Sequence, residues 1–434
     1  MSLAFHACPP AGQWMNDPNA LLQNENGYLL LAQYRSDGPA FVQTHWARWT
    51  SPDLFDWQFD GVAIAGDDDD AYSGCVVDSI DGLRCFYTAN ERSTGLQQQV
   101  TRTSPDGGRS WLPPVPVAGP AQTNRRDPFV WQRPDGAWRM LIARPGDWER
   151  ADERGVLEMW HSADGAAWRE IGRIGPFSAC GMLWEVPVLI EYGASRAMLI
   201  VSVVDRTRVG ADSSVHYWAG AFDGLRFAPD DDGHRLDLGP DFYAATIGQK
   251  IGTEGDAVAV AWLSNWQTAR TMAWPGFAGG AISLPRTLRI EGHALCQSPP
   301  AAIRDAFTVS TTSVPRAGMT ATEVRGEWRL SVQSLDAHLT INSTKHRFEV
   351  RREGEAAIRW SADHPPLTKY QTSGHHHLAL YLDGPLVELF IDDRTAVSAA
   401  VPGATASFAI SLSDDTGEID LPWRVLPRHA VGRQ

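Results

Sequence analysis

The sequence predicts an all-β protein: a five-bladed β-propeller followed by a C-terminal β-sandwich. Three observations lead there. Short runs of Val, Ile, Leu, Tyr, Trp and Phe punctuated by Gly, Asp and Pro recur throughout, and long helical periodicities are hard to find. Two interleaved motifs repeat on one period over the first three hundred residues. After Pro285 the rhythm changes to strands with partial apolar alternation, suited to a sandwich.

The first repeated motif is a Gly-led turn feeding an apolar strand: "NGYLLLAQY" from Asn26, "DGLRCFYTA" from Asp81, "DGAWRMLIA" from Asp135, "YGASRAMLIVSV" from Tyr192 and "EGDAVAVAWLSNW" from Glu254. Gly27, Gly82, Gly136, Gly193 and Gly255 are separated by 55, 54, 57 and 62 residues. The second is "SPDLFDW" at Ser51, "SPDGGRSW" at Ser104, "SADGAAW" at Ser162 and the weaker "FDGLRF" at Phe222; its first three copies are spaced by 53 and 58 residues. One motif alone is compatible with a chance rhythm. Two on a shared period indicate a repeated supersecondary unit, and about 50 residues of short strands suit a four-stranded propeller blade.

In a propeller the innermost strand of each blade lines the central channel, so residues at its start converge on one funnel. Taking the strand before each Gly turn as innermost and counting back reaches Asp17, Ser73, Asp127, Glu185 and Asp241, which lie 10, 9, 9, 8 and 14 residues before their glycines. The carboxylates of "MNDPN", "RRDPF" and "LWEVP" thus occupy nearly equivalent positions in blades one, three and four, each with Pro within two residues. They are expected to face one another.

The expected division is residues 1–294 for the propeller, 295–305 for a linker in "LCQSPPAAIRDA", and 306–434 for the sandwich, with strands in "AHLTINS", "HRFEVRRE", "HHLALYLDG", "LVELFIDD" and "ASFAISLS". His375, His376 and His377 resemble a metal tract, but adjacent strand positions point to opposite faces, so an exposed polar edge is expected and no metal site. Asp67 to Asp70 and Asp230 to Asp232 lack the Gly and Glu spacing of a calcium loop and read as solvated loops.

The formal net charge of −14 argues against nucleic acid or an anionic membrane as partner, since either calls for a basic face. A small neutral carbohydrate fits better. The start "MSLAFHACPP" has neither a basic leader nor an apolar stretch, so a cytoplasmic location is expected, as monomer or homodimer. Five scattered cysteines, never spaced C-x-x-C, suit reduced thiols. The 18 tryptophans serve either as core or as platforms for the apolar face of a sugar.

Facing carboxylates in a Trp-rich cleft for an uncharged substrate suggest glycoside hydrolysis. One carboxylate attacks the anomeric carbon and a carboxylic acid protonates the leaving oxygen; a separation of about 5 to 5.5 Å gives retention. A third carboxylate can hold sugar hydroxyls by charge-assisted bonds. The ordered series "HACPPAGQWMNDPNALL", "YSGCVVD", "RRDPFVW", "LWEVPVLI", "GPDFYAA" and "ISLPRTL", with "LYLDGPLVELFIDD" near the C-terminus, resembles the family 32 glycoside hydrolases, the invertases, inulinases and levanases. The resemblance covers nearly the whole chain. It implies a five-bladed propeller plus sandwich and no metal or organic cofactor. Asp17 becomes the nucleophile towards C2 of a β-fructofuranosyl unit, Glu185 the acid/base, and Asp127 the stabiliser that binds ring hydroxyls. The chemistry needs Asp17 ionised and Glu185 protonated at rest, which a partly apolar wall of Trp184, Val186 and Pro187 would favour. Asn16, Gln33, Trp46, Ser73, Arg126, Asp241, Tyr243 and Trp262 match positions at or near the substrate. Each has a second reading: Trp46 and Trp262 as blade packing, Arg126 as the partner of a loop acid, Asp241 as a turn cap.

The chain departs from the family pattern at Ala20 for Gly, Cys75 for Ser, Val186 for Cys and Val188 for Asp; none removes a catalytic group, and together they leave the leaving-group side open. Sucrose, sucrose phosphate, fructo-oligosaccharides, inulin and levan all stay open as substrates, as does transfer of fructose to another sugar, and the sequence identifies no phosphate site. A sialidase is suggested by "SPDGGRSW", yet that box is a structural turn, and three arginines for a carboxylate are wanting. A family 43 hydrolase lacks the "WMNDPN" context. A non-catalytic sugar-binding propeller would not require three convergent carboxylates.

Overall fold

The computed structural model describes residues 3–38, 43–66, 68–146, 154–177, 183–193, 195–204, 213–248, 257–267, 269, 279–291, 294–335, 337–344, 347–354, 358–363, 374–401 and 408–427. Five antiparallel sheets follow one another along the chain, each joined strand to neighbouring strand. Their first strands are Trp14–Asn24, Asp69–Ser79, Arg126–Gln132, Leu183–Tyr192 and Tyr243–Gly248. These five touch one another in a closed ring, the last against the first, so they are the innermost strands of five blades. A closed ring leaves each inner strand covered on both faces, which is why Met15–Leu22 and Val186–Leu189 are buried throughout.

Both repeated motifs have a structural meaning. The Gly-led motif is the hairpin between the first and second strands. Gly27 and Gly82 adopt φ of 118° and 112°, and a Cβ there would lie 2.3 Å from the carbonyl oxygens of Ser51 and Ser104, so only Gly fits. Gly255 lies outside the described residues. The Ser-x-Asp motif is the turn after the third strand. In blade three the Ser162 hydroxyl accepts the Gly165 N–H at 2.9 Å, while the Asp164 carboxylate accepts the Ala166 and Ala167 N–H groups. Ser51 with Asp53 and Ser104 with Asp106 repeat the arrangement. The box is a turn, as its sialidase-like form implies, and is not a site.

Each innermost strand carries a register shift at the same depth: Met15/Pro18, Ala71/Gly74, Glu185/Val188 and Tyr243/Thr246 on the first strands of blades one, two, four and five, and Arg126/Phe129, opposite Leu141/Ala143, in blade three. A β-bulge breaks the ladder and re-aims side chains. Pro128 and Pro187 lie inside these bulges, where a missing N–H disturbs no ladder bond, and Pro18 pairs with Ala32 between two successive register shifts.

The boundary expected at 295 falls too early. Ala294–Ser298 pairs with Arg286–Glu291 as the outer strand of blade five, so the propeller runs to Ser298 and the one-turn helix Ala301–Arg304 begins the connection. The sandwich consists of two six-stranded sheets. In the sheet containing His375–Asp383, Leu386–Ile391 and Thr395–Ala400, alternate side chains go to different cores. Leu378, Leu380, Leu382, Leu389 and Val397 join the sandwich interior, whereas Ala379, Tyr381, Phe390 and Ala396 pack against Phe5, Phe55 and Phe307 under the propeller. The three histidines do not lie on a sheet edge, since their strand runs between Ala317–Arg325 and Leu386–Ile391 and they pair with Glu323 to Arg325; the exposed, polar part of the reading fits, with His375 and His377 exposed and His376 Nδ1 2.7 Å from Asp392.

Buried ion pairs cross the domain boundary. Arg286 donates to Asp237 at 2.8 Å, to Glu388 at 2.7 Å and to Ser398 at 2.6 Å. His6 lies 2.9 Å from both Asp383 and Glu388. Burial works against its protonation, but hydrogen bonds to the two carboxylates outweigh that and carry His6 up to about 9.

Candidate active site

The bulges place Asp17, Asp127 and Glu185 around one funnel, close enough to interact electrostatically with one another. Their positions are not strictly equivalent. The last paired residues before the bulges are Met15, Ala71, Arg126, Glu185 and Tyr243. Glu185 therefore stands at the first position of its bulge, Asp127 at the second and Asp17 at the third. The three acids are thus offset from one another within their bulges.

Asp17 is bound on both oxygens. The Ser73 hydroxyl donates to Oδ2 at 2.5 Å, and Asn16 Nδ2 donates to Oδ1 at 3.1 Å. Asn16 also donates to Gln33 Oε1 at 2.6 Å, and Gln33 Nε2 donates to Ser73 Oγ at 2.6 Å, closing a ring of side chains from blades one and two. Burial raises the Asp17 carboxyl above the usual range; Ser73 and Asn16 oppose the shift and Glu185 adds to it.

Glu185 is held by two neighbours. Arg126 donates to Oε1 from Nη2 at 2.6 Å and Nε at 3.2 Å, and the Tyr243 hydroxyl donates to Oε2 at 2.5 Å. The groups bonded to its carboxylate are polar. Trp184, expected in an apolar wall beside it and one position earlier on the strand, turns away to pack on Phe177 and Trp218 with ring centroids 5.5 and 5.7 Å away. Val186 has φ 46° and spends its N–H on Asp127 Oδ2 at 3.1 Å. Asp127 is buried, and that burial, opposed by Arg126 and reinforced by Glu185 and Asp17, pushes it up to about 7.

Three of the sequence candidates belong elsewhere. Asp241 is fully buried and accepts from Asn265 at 2.6 Å, from Arg352 of the sandwich at 2.5 Å and from the Ala400 N–H at 2.8 Å. It is an interdomain anchor rather than a sugar ligand. Tyr243, the last paired residue before the blade-five bulge, takes the funnel position two residues further on. Trp46 and Trp262 are 0% exposed, and their indole N–H groups donate to the Tyr72 and Gly279 carbonyls. They pack blades and present no face to a sugar. Cys75 is likewise internal: its sulfur accepts the Val130 N–H, and burial pushes the thiol up to about 12.

Two residues near the site had not been singled out. Arg35, the strand partner of Trp14, lies 5.8 Å from the Trp14 ring and within electrostatic reach of Asp17. Trp266, partly exposed, stacks on Trp14 and lies tilted against Trp262. A polar residue at a strand position expected to be apolar was the signal for the first; the second had none.

Residues 6–299 match the model of the glycosyl hydrolases family 32 N-terminal domain, which spans the five blades. The chain belongs to this family. Among the relatives of this family 32 protein, the levanase of Bacillus subtilis (strain 168) is 30% identical over 335 residues, covering 71% of this chain and 48% of that protein. The chain thus spans about half the length of that levanase. The sucrose-6-phosphate hydrolase of Escherichia coli is 25% identical over 436 residues, 91% of this chain and 88% of that protein. The fructofuranosidase from Schwanniomyces occidentalis, solved in complex with fructose, superposes with a TM-score of 0.79 at 21% identity and covers 97% of both chains, which shows the shared propeller-plus-sandwich fold.

Proposed function

We propose that this family 32 protein is a retaining β-fructofuranosidase that releases fructose from sucrose and fructo-oligosaccharides, with inulin and levan as further substrates, by double displacement. The observation that carries the reading is the convergence of Asp17, Asp127 and Glu185 from three blades, with Arg126 and Tyr243 gripping Glu185. Asp17, held at both oxygens, attacks C2 of the fructosyl unit. Glu185, whose side chain is 18% exposed, protonates the leaving oxygen and then takes a proton from the incoming water. Asp127 accepts hydrogen bonds from ring hydroxyls, which tighten as the ring gains oxocarbenium character. The ring of Asn16, Gln33 and Ser73 keeps Asp17 from turning, so its orientation is set before substrate arrives.

The test is incubation with sucrose, kestose, inulin and levan, with free fructose and longer oligosaccharides quantified. Fructose release from sucrose or kestose is expected; accumulation of longer products instead identifies a transferase. If folded protein releases fructose from none of the four across mildly acidic to neutral pH, the reading is wrong. Asp17→Asn is expected to lower turnover at least about 10³-fold with the fold intact.

A further inference from the structure

Arg126 and Asp127 begin the innermost strand of blade three, and the backbone there is unusual. Asp127 has φ 62°, in the left-handed region that side chains with a Cβ avoid. The bulge also breaks the ladder, so the N–H and C=O groups of this stretch need partners other than the neighbouring strand. Side chains from blade two supply them. The Asp127 N–H donates to Thr88 Oγ1 at 3.0 Å, the Thr88 hydroxyl donates to Gln99 Oε1 at 2.7 Å, and Gln99 Nε2 donates to the Arg125 carbonyl at 2.7 Å. The Arg125 N–H donates to Gln97 Oε1 at 2.7 Å. Thr88 faces Gln99 across the strand pair of blade two, and Gln97 is two residues before Gln99, hence on the same face of the sheet. From the other side, the buried Arg125 side chain is fixed by Glu158 at 2.8 Å and by the Ala118 carbonyl at 2.8 Å.

We propose that Thr88, Gln97 and Gln99 form a clamp that sets the backbone of Arg125 to Asp127 and thereby aims Asp127 at the substrate and Arg126 at Glu185; this rests on the hydrolase reading of the site. Thr88 and Gln99 are 0% exposed, so they act through the residues they hold and touch no substrate. They are positioning residues. Three buried polar side chains converge on one short segment, and that segment carries two groups of the funnel. An error of about 1 Å in such a segment lowers turnover by about 100-fold.

The experiment compares Thr88→Val, Thr88→Ser and Thr101→Val. Thr101 is a control from the same strand as Gln99; it is buried, and its hydroxyl donates to the Cys85 carbonyl within blade two. Thr88→Val is expected to lower kcat about 10- to 100-fold with KM changed less than about threefold, Thr88→Ser to recover most of the loss, and Thr101→Val to lose a similar Tm with kcat unchanged. Hydrogen exchange of the peptide carrying the Asp127 amide is expected to speed up in Thr88→Val alone. Equal loss of kcat in Thr88→Val and Thr101→Val, failure of Thr88→Ser to recover, or unchanged exchange overturns the clamp. If the parent protein turns over no fructoside, the hydrolase reading fails, and exchange alone still decides whether the backbone is clamped. Should Thr88→Val not fold, Gln99→Leu removes the same chain of bonds from its other end and is judged by the same criteria.

Discussion

At the residue scale, Asp127 carries opposing demands. Burial raises its carboxyl, Arg126 lowers it, and Glu185 and Asp17 raise it again, leaving it at about 7. An unfolded Asp ionises near 4. Between these values the folded chain holds a proton that the unfolded chain has lost, so stability falls as pH rises through the window, and the deficit is complete above about 7. Asp127→Asn is therefore expected to raise Tm over the parent at pH 8, with the gain disappearing near pH 4, while turnover collapses. Thermal unfolding at both pH values checks it; an equal gain at both would show that charge is not the cause. Asp17, Asp127 and Glu185 were legible as a set because carboxylates beside Pro recurred on the blade period. Asp241 was legible only as a carboxylate at a plausible distance. Its partner Arg352 lies 111 residues away, and a pairing of that span leaves no local pattern.

At the element scale, the same two features recur in successive blades with different uses. The Ser-x-Asp turns organise the outer strands, and the bulges organise the funnel. Ser162 is buried and its hydroxyl replaces a backbone acceptor for Gly165, so Ser162→Ala is expected to lower unfolding free energy by about 1 kcal/mol and to leave kcat unchanged. Denaturant unfolding alongside fructose release separates the two effects; a loss of kcat would make the turn part of the site. In blades one to four the period located the hairpin glycines, and in blades one to three the Ser-x-Asp turns, to the residue, because Gly and Asp are demanded there by backbone geometry. It did not locate the bulges. A bulge adds residues to one strand relative to its partner, and the count from a glycine cannot tell on which side of the hairpin they were added. Hence the acids looked equivalent and are in fact offset.

For the whole molecule, the sandwich is bound to the propeller through charge as well as apolar packing. Arg352 reaches Asp241 beside the innermost strand of blade five, and Arg286 reaches Glu388 in return. Arg352→Met leaves the Asp241 carboxylate buried without this cation and is expected to cost about 3–5 kcal/mol in stability. Thermal unfolding reads the loss, and kcat of the remaining folded protein is expected to be unchanged. A selective loss of activity would return Asp241 to the substrate site.

The sequence by itself determined the all-β class, the number of blades, the presence of a second β domain and the three acids of the funnel, since each rests on a local pattern of turn residues and strand periodicity. It misread where blade five ends, because "ALCQS" looks like the start of a linker until Arg286–Glu291 is seen beside it. Only the tertiary structure decided which tryptophans are packing, that Asp241 anchors the domains, that Glu185 is gripped by Arg126 and Tyr243, and that Thr88 bonds the backbone of Asp127 while Gln97 and Gln99 bond that of Arg125. These are contacts between blades or between domains. Their physical content is distance and burial, which depend on how the sheets close into a ring and are not written in any one strand.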